Sequence, residues 1–241
     1  NFPTLLPMQL RDINASLLEK LRTEMLNQKK SNATINRRFT TLKSVLTRAV
    51  EWEVIPNHDL RKLKPLSEDN SRVRYLSFDE EARLKEALKT RDLKLKRERE
   101  SGNKHRAERG YPLLPDLSTR TFSDYLEPLV ILAMNTGMRR GELLSLRWQN
   151  VNLDRDVLTI EAANAKSGKA RHIPLNQKAK SALTNWKSDC GSLLWVFEGK
   201  PDQPLRDIKK AWSTILEDAK IKDFRFHDLR HHFASRLVMA G

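Results

Sequence analysis

A single cysteine, Cys190, in 241 residues excludes an internal disulfide and any metal cluster built on several thiolates. No apolar run approaches the roughly 20 residues needed to span a bilayer, and no secretory leader pattern opens the chain. The expectation is an intracellular protein. There is no internal repeat and no low-complexity tract. Tyrosine is scarce, and Tyr75, Tyr111 and Tyr125 all lie in the first 125 residues. The most telling scarcity is of acid: from Ala33 to Val50 there is no aspartate or glutamate. Over the whole chain 45 Lys and Arg face 31 Asp and Glu, a formal charge of +14. A polyanion is the partner such a balance suits, although a basic, inert surface has the same composition.

The length is enough for two cores. Asn14 is placed to cap a helix running to about Asn27, with Leu17, Leu18, Leu21 and Met25 on its apolar face. A longer helix should follow Ser31 or Asn32, its buried stripe being Ile35, Phe39, Leu42, Leu46 and Ala49. The other side carries Asn36, Arg37, Thr40, Thr41, Lys43, Ser44, Thr47 and Arg48. Cations with short hydroxyl and amide donors, and no acid among them, suit phosphate oxygens. A solvated face is the alternative.

Pro56 and the polar stretch Lys62 to Arg74 read as the end of that unit and a linker, giving domains at 1–64 and 75–241 joined by 65–74. Ser77-Phe78-Asp79-Glu80 has the form of a capping box. The charged segment Arg91 to Gly110 reads as a helix extension or a mobile loop, and as a solvated insertion rather than a segment that tracks DNA. Tyr125 to Met134 should be a buried helix, with Gly137 as its left-handed cap. A further helix is expected to carry Leu143, Leu144, Leu146 and Trp148. Val157–Ile160 and His172–Leu175 are strand candidates around Ser167-Gly168, with Pro174 marking an edge. Helical patterns resume over Ala179–Trp186, Leu205–Ala219 and His227–Met239. The class is α+β: mainly helical, with a small sheet.

Three segments carry chemistry: NTGMRRGELLSLRW from Asn135, AKSGKARHIPL from Ala165, and FRFHDLRHHFASRL from Phe224. Breaking a phosphodiester builds charge on two non-bridging oxygens, and preorganised guanidinium groups stabilise that charge without a metal. A lysine beside a turn can protonate a leaving hydroxyl. Glu142, three residues after Arg139, falls on the same helical side and could hold that guanidinium. His227 and His231 stand four apart as zinc ligands can, but no H-E-x-x-H order and no nearby cysteine accompany them, so no metal is expected.

In these motifs the chain resembles the tyrosine recombinase, or phage integrase, family, and the likeness extends over roughly Ile13 to Gly241. The resemblance implies a helical, SAM-like core-binding domain followed by a catalytic domain of the DNA breaking-rejoining fold. It selects Arg139 over Arg140 and pairs it with Arg230 as the phosphate clamp. Lys166, rather than Lys169, becomes the general acid, and His227 assists proton transfer and orients phosphate. His231 is expected to shield or pack as a supporting residue, and the helix of Arg37, Arg38, Thr41, Lys43, Ser44 and Arg48 to contact DNA.

The activity implied is site-specific DNA recombination through a 3′-phosphotyrosyl link, in a tetramer on double-stranded DNA, with no cofactor and, at some sites, with accessory DNA-bending proteins. The family's tyrosine follows the His-x-x-Arg box, and none of the three tyrosines here does. The chain therefore reads as truncated at both ends, lacking a first helix and the nucleophile, inactive in cleavage and monomeric off DNA. A non-catalytic DNA-binding relative and a type IB topoisomerase are the alternatives.

Overall fold

Short polar side chains open the helices where the sequence places them. The computed structural model describes residues 2–68, 74–162 and 168–239, and the chain divides into two compact units, Asn1–Arg72 and Val73–Gly241. In the first, Asn14 accepts the Leu17 N–H at 3.0 Å and starts α1, Ala15–Asn27. Ser31 accepts the Thr34 N–H and starts α2, Asn32–Glu51. Leu18, Leu21 and Met25 of α1 meet Ile35, Phe39, Leu46 and Ala49 of α2, and Ile55 and Leu60 complete this small core.

The chain leaving this unit returns to α2. Asn36 accepts the Leu66 N–H at 2.9 Å and donates to the Leu66 carbonyl at 2.8 Å, while Asn32 donates to the Ser67 carbonyl. Residues 65–68, expected to begin a linker, are thus held against a helix. Residues 69–73 of that expected linker lie outside the described residues.

In the second unit Ser77 and Glu80 close the capping box of α3, Phe78–Glu108. The charged segment from Arg91 is helical as far as Glu108, and it is braced rather than free in solvent. Arg91 grips Asp124 with both terminal nitrogens. Asp92 accepts the Ser123 N–H, and Asn103 exchanges two hydrogen bonds with Leu114. Lys96, Arg99 and Arg106 donate to carbonyls of Arg120, Pro115 and Pro112. Of the readings the sequence left open, the helix extension is the one found, a largely exposed arm laced to the segment that returns beside it.

The buried α4, Leu126–Thr136, ends at Gly137 in the left-handed conformation. Next, α5 is a single short helix, Arg140–Leu144. Leu146 and Trp148, expected on that helix, lie beyond it, because backbone bonds tie Leu146 and Trp148 to Val196 and Leu194 instead. Strands β1 (Val151–Asn152), β2 (Val157–Ile160) and β3 (Arg171–Pro174) form an antiparallel sheet in that order, with Ile160 opposite Arg171 and Leu158 opposite Ile173. β1 was not expected, and Pro174 does sit on an edge strand.

Helix α6 spans Gln177–Asp189 and α7 Lys209–Asp218. The latter starts four residues after the expected Leu205, whose N–H is taken by the Phe197 carbonyl. Helix α8, Asp228–Met239, packs on α4. Together these elements enclose one large core around Leu126, Leu129, Leu132, Leu143, Leu158, Leu183, Phe197 and Ile215. The architecture is mostly helical with a small three-stranded sheet, as expected.

Candidate active site

The left-handed turn at Gly137 ends α4 and sends the chain into Arg139, which occupies the N-cap of α5 in extended conformation. Across from it, the first turn of α8 presents Arg230, whose Nη1 donates to the Gly137 carbonyl at 2.6 Å. That bond joins residues 93 positions apart, so the two arginine motifs meet at one turn. A Cβ on Gly137 would stand 2.4 Å from Cδ1 of Phe233 on α8. Glycine is therefore needed both for backbone conformation and for the close approach of α8.

Glu142 lies beneath the turn, its side chain only 2 % exposed. Its Oε2 accepts the Arg139 backbone N–H at 2.9 Å and its Oε1 accepts from Arg139 Nη1 at 3.0 Å. Arg171, the first residue of β3, reaches the same carboxylate with Nη1 to Oε1 at 3.0 Å and Nη2 to Oε2 at 2.6 Å. Burial pushes the Glu142 carboxyl up, but the hydrogen bonds from Arg171 and Arg139 outweigh it and hold the group below the ordinary glutamate range.

His227 is exposed just ahead of α8, its ring edge-on to His231 with centroids 5.5 Å apart. Burial, and then the charges of His231, Arg230 and Arg139, lower its pKa from the ordinary 6.5. At neutral pH it is an uncharged imidazole, able to accept a proton. Burial and the neighbouring Arg139 likewise lower the Arg230 pKa. Guanidinium stays charged near neutrality, and these residues form a cationic cluster open to an anion.

The structure thus brings Arg139, His227, Arg230 and Glu142 together, with His231 against His227. Lys166 lies outside the described residues, and Lys169 is exposed after Gly168. Arg140 is exposed, within electrostatic reach of Asp207. Tyr125 caps the opposite end of α4, roughly 18 Å along the helix from the Gly137 turn by the rise per residue. Among the described residues no group of histidine, cysteine and carboxylate side chains could hold a metal. The sequence reading missed Arg171. The signal available was alternation in β3, where Arg171 and Ile173 are half-buried and His172 and Pro174 exposed.

On α2, Arg37, Thr41, Lys43, Ser44 and Arg48 are exposed and Arg38 is half-buried. At 100° per residue Arg37, Thr41, Ser44 and Arg48 fall within about 60° of one another, opposite the buried stripe. Arg38 and Lys43 flank that face. Asn36 and Thr47, placed on the same side by sequence, turn inward to Leu66 and to His58.

The family model described as the phage integrase family matches residues 113–241. The integrase of Salmonella phage P22 is 38% identical over 146 residues, covering 54% of this chain and 37% of that protein. The chain accordingly spans little more than a third of that relative. The Tn1549 transposon integrase, solved in complex with a circular intermediate DNA, superposes with a TM-score of 0.68 at 14% identity, covering 95% of this chain and 74% of that one. Lambda integrase, solved as a tetramer bound to a Holliday junction, gives 0.62 at 18% identity, covering 93% and 59%. At such identities the likeness is one of fold, the fold of tyrosine recombinase catalytic domains. With its two arginine motifs and the intervening hairpin all inside the matched segment, the chain belongs to the phage integrase family.

Proposed function

We propose that the chain acts in site-specific DNA recombination, binding a scissile phosphodiester between Arg139 and Arg230. The observation that carries this reading is the bond from Arg230 to the Gly137 carbonyl, which fixes one guanidinium beside the turn that presents the other. Both would neutralise the non-bridging oxygens as phosphorus becomes pentacoordinate. His227, uncharged at neutral pH, takes a proton from the attacking group or donates a hydrogen bond to phosphate. Lys166 protonates the leaving 5′ oxygen. Glu142 holds Arg139, and His231 supports His227.

In this reading residues 1–64 are a helical DNA-binding domain that contacts the duplex through Arg37, Arg38, Thr41, Lys43, Ser44 and Arg48. Residues 65–74 join it to a catalytic domain, 75–241. No tyrosine among these 241 residues is the nucleophile, no cofactor is needed, and the chain is monomeric until DNA assembles it into a tetramer, with accessory DNA-bending proteins where the site demands. The work is done in the bacterial cytoplasm, on the nucleoid.

The test supplies a nucleophile from solution. Binding duplexes are selected from a random pool, and the bound duplex is incubated with the chain and hydrogen peroxide, whose small anion can attack phosphorus in place of a side chain. Denaturing electrophoresis should show strand scission without a protein-linked band. Arg139→Ala and Arg230→Ala should each lower the rate by about 10² to 10³ while duplex affinity is largely kept. Lys166→Ala should be rescued by a 5′-bridging phosphorothiolate, whose sulfur leaves without a proton, and the arginine variants should not. Scission that is indifferent to Arg139 overturns the reading. Steeply salt-dependent binding with no scission favours a DNA-binding module instead.

A further inference from the structure

Four donors converge on the Glu142 carboxylate, two from Arg171 and two from Arg139. A carboxylate has about four lone-pair positions, so Glu142 is saturated. Arg139 contributes only one guanidinium nitrogen, Nη1, the other bond coming from its backbone. From this division we infer that Arg171 is a positioning residue: it saturates Glu142 so that Arg139 is held by a single side-chain nitrogen and the rest of its guanidinium stays available to phosphate.

The physical argument is a competition. A buried carboxylate recruits whatever donor can reach it, because leaving its lone pairs unmet is costly. Arg139 is the nearest such donor, and an arginine closes a two-point fork on a carboxylate readily. Without Arg171, Glu142 would draw Arg139 into that fork and away from the phosphate oxygens. Arg171 also starts β3 and lies opposite Ile160 of β2. The same contact therefore ties the base of the hairpin to the arginine turn. Arg139 and Arg171 on Glu142, with Arg230 within electrostatic reach of all three, leave a surplus of two positive charges, which matches the doubly negative pentacoordinate phosphorane formed from a diester.

This inference rests on the proposed role of Arg139, so its test has two independent readouts. The first is the side-chain NMR spectrum of Arg139 in the chain with no DNA. Arg171→Ala should restrict rotation of the Arg139 guanidinium and resolve its Nη resonances, and adding Glu142→Gln should release it again. The second is peroxide-supported scission. Arg171→Ala should slow it about 10- to 100-fold, in the range of lost supporting contacts. Arg171→Ala with Glu142→Gln should recover at least tenfold of that, since a neutral amide competes weakly for Arg139. Arg171→Lys, which keeps the charge and one bond, should fall between.

A merely structural role predicts the opposite, a double variant worse than the single one. That outcome, or Arg139 resonances unmoved by Arg171→Ala, overturns the inference. If the unsubstituted chain gives no scission, the proposed function fails while the NMR readout still decides the role of Arg171. Should Arg171→Ala unfold the chain, Arg171→Lys with and without Glu142→Gln gives the same comparison.

Discussion

Replacing Gly137 by alanine should be among the most damaging single changes in the second unit, and its two costs can be separated. At φ +59° and ψ +22° the residue is left-handed, which costs an L-amino acid about 1–2 kcal/mol. The new Cβ would also stand 2.4 Å from Cδ1 and 3.0 Å from Cε1 of Phe233. Overpacking of that kind adds about 1–3 kcal/mol, for a combined loss of about 2–5 kcal/mol. That is a large share of the ~5–15 kcal/mol typical of a folded domain.

Urea unfolding followed by tryptophan fluorescence suits the measurement, because Trp148, Trp186, Trp195 and Trp212 all lie in this unit. Adding Phe233→Leu to Gly137→Ala should return the steric part and leave the backbone part. The cycle should then show a coupling of about 1–3 kcal/mol. Gly137→Ala costing less than about 0.5 kcal/mol, the range of neutral surface changes, would refute the reasoning. So would the absence of coupling to Phe233.

The remaining expectations concern pH and salt. His232 is 2 % exposed, accepts the Leu76 N–H at its Nδ1, and has Nε2 3.4 Å from Glu81, whose carboxylate also holds Lys85 and Arg236. Burial, chiefly, lowers its pKa from the ordinary 6.5 despite Glu81; the unfolded chain then takes up a proton the native state resists. Stability is full above 6.5 and declines as pH falls below it. Thermal midpoints should drop from pH 7.5 to 5.5, and His232→Asn, which keeps an acceptor for Leu76, should flatten that drop; an unchanged slope would exclude His232 as its source. On α2, Arg37→Ala and Arg48→Ala should each reduce the slope of log affinity against log salt by about 0.9. Asn36→Ala should instead lower the thermal midpoint with the slope intact, and the reverse pattern would mean the helix meets DNA by another face.

What the sequence made legible was local. The caps at Asn14, Ser31 and Ser77, the buried stripe of α2 and the left-handed Gly137 depend on residues a few positions apart, and each stands where its pattern put it. The errors have a common physical source, competition from a distant partner. Leu146 and Trp148 leave the helical pattern because Val196 and Leu194 take their backbone groups. Asn36 leaves the outer face because the chain 30 residues on needs both an acceptor and a donor. The arm from Arg91 is polar along its length, so nothing in its pattern discloses that Asp124, Ser123 and Leu114 brace it.

Arg171 is the instructive case, since it stands in a segment already singled out for its lysine. Its role follows from the acid that it meets, not from its own neighbours. Helix α5 has five residues, and the Arg139 turn that opens it gives Glu142 only two hydrogen bonds. Burying that carboxylate therefore required two donors from elsewhere, and the adjoining strand β3 supplied them in one planar fork. Counting the lone pairs of a glutamate held to a functional arginine would have called for further donors. It would not have said which, because choosing among the basic residues of the hairpin depends on the β2–β3 register that sets Arg171 opposite Ile160.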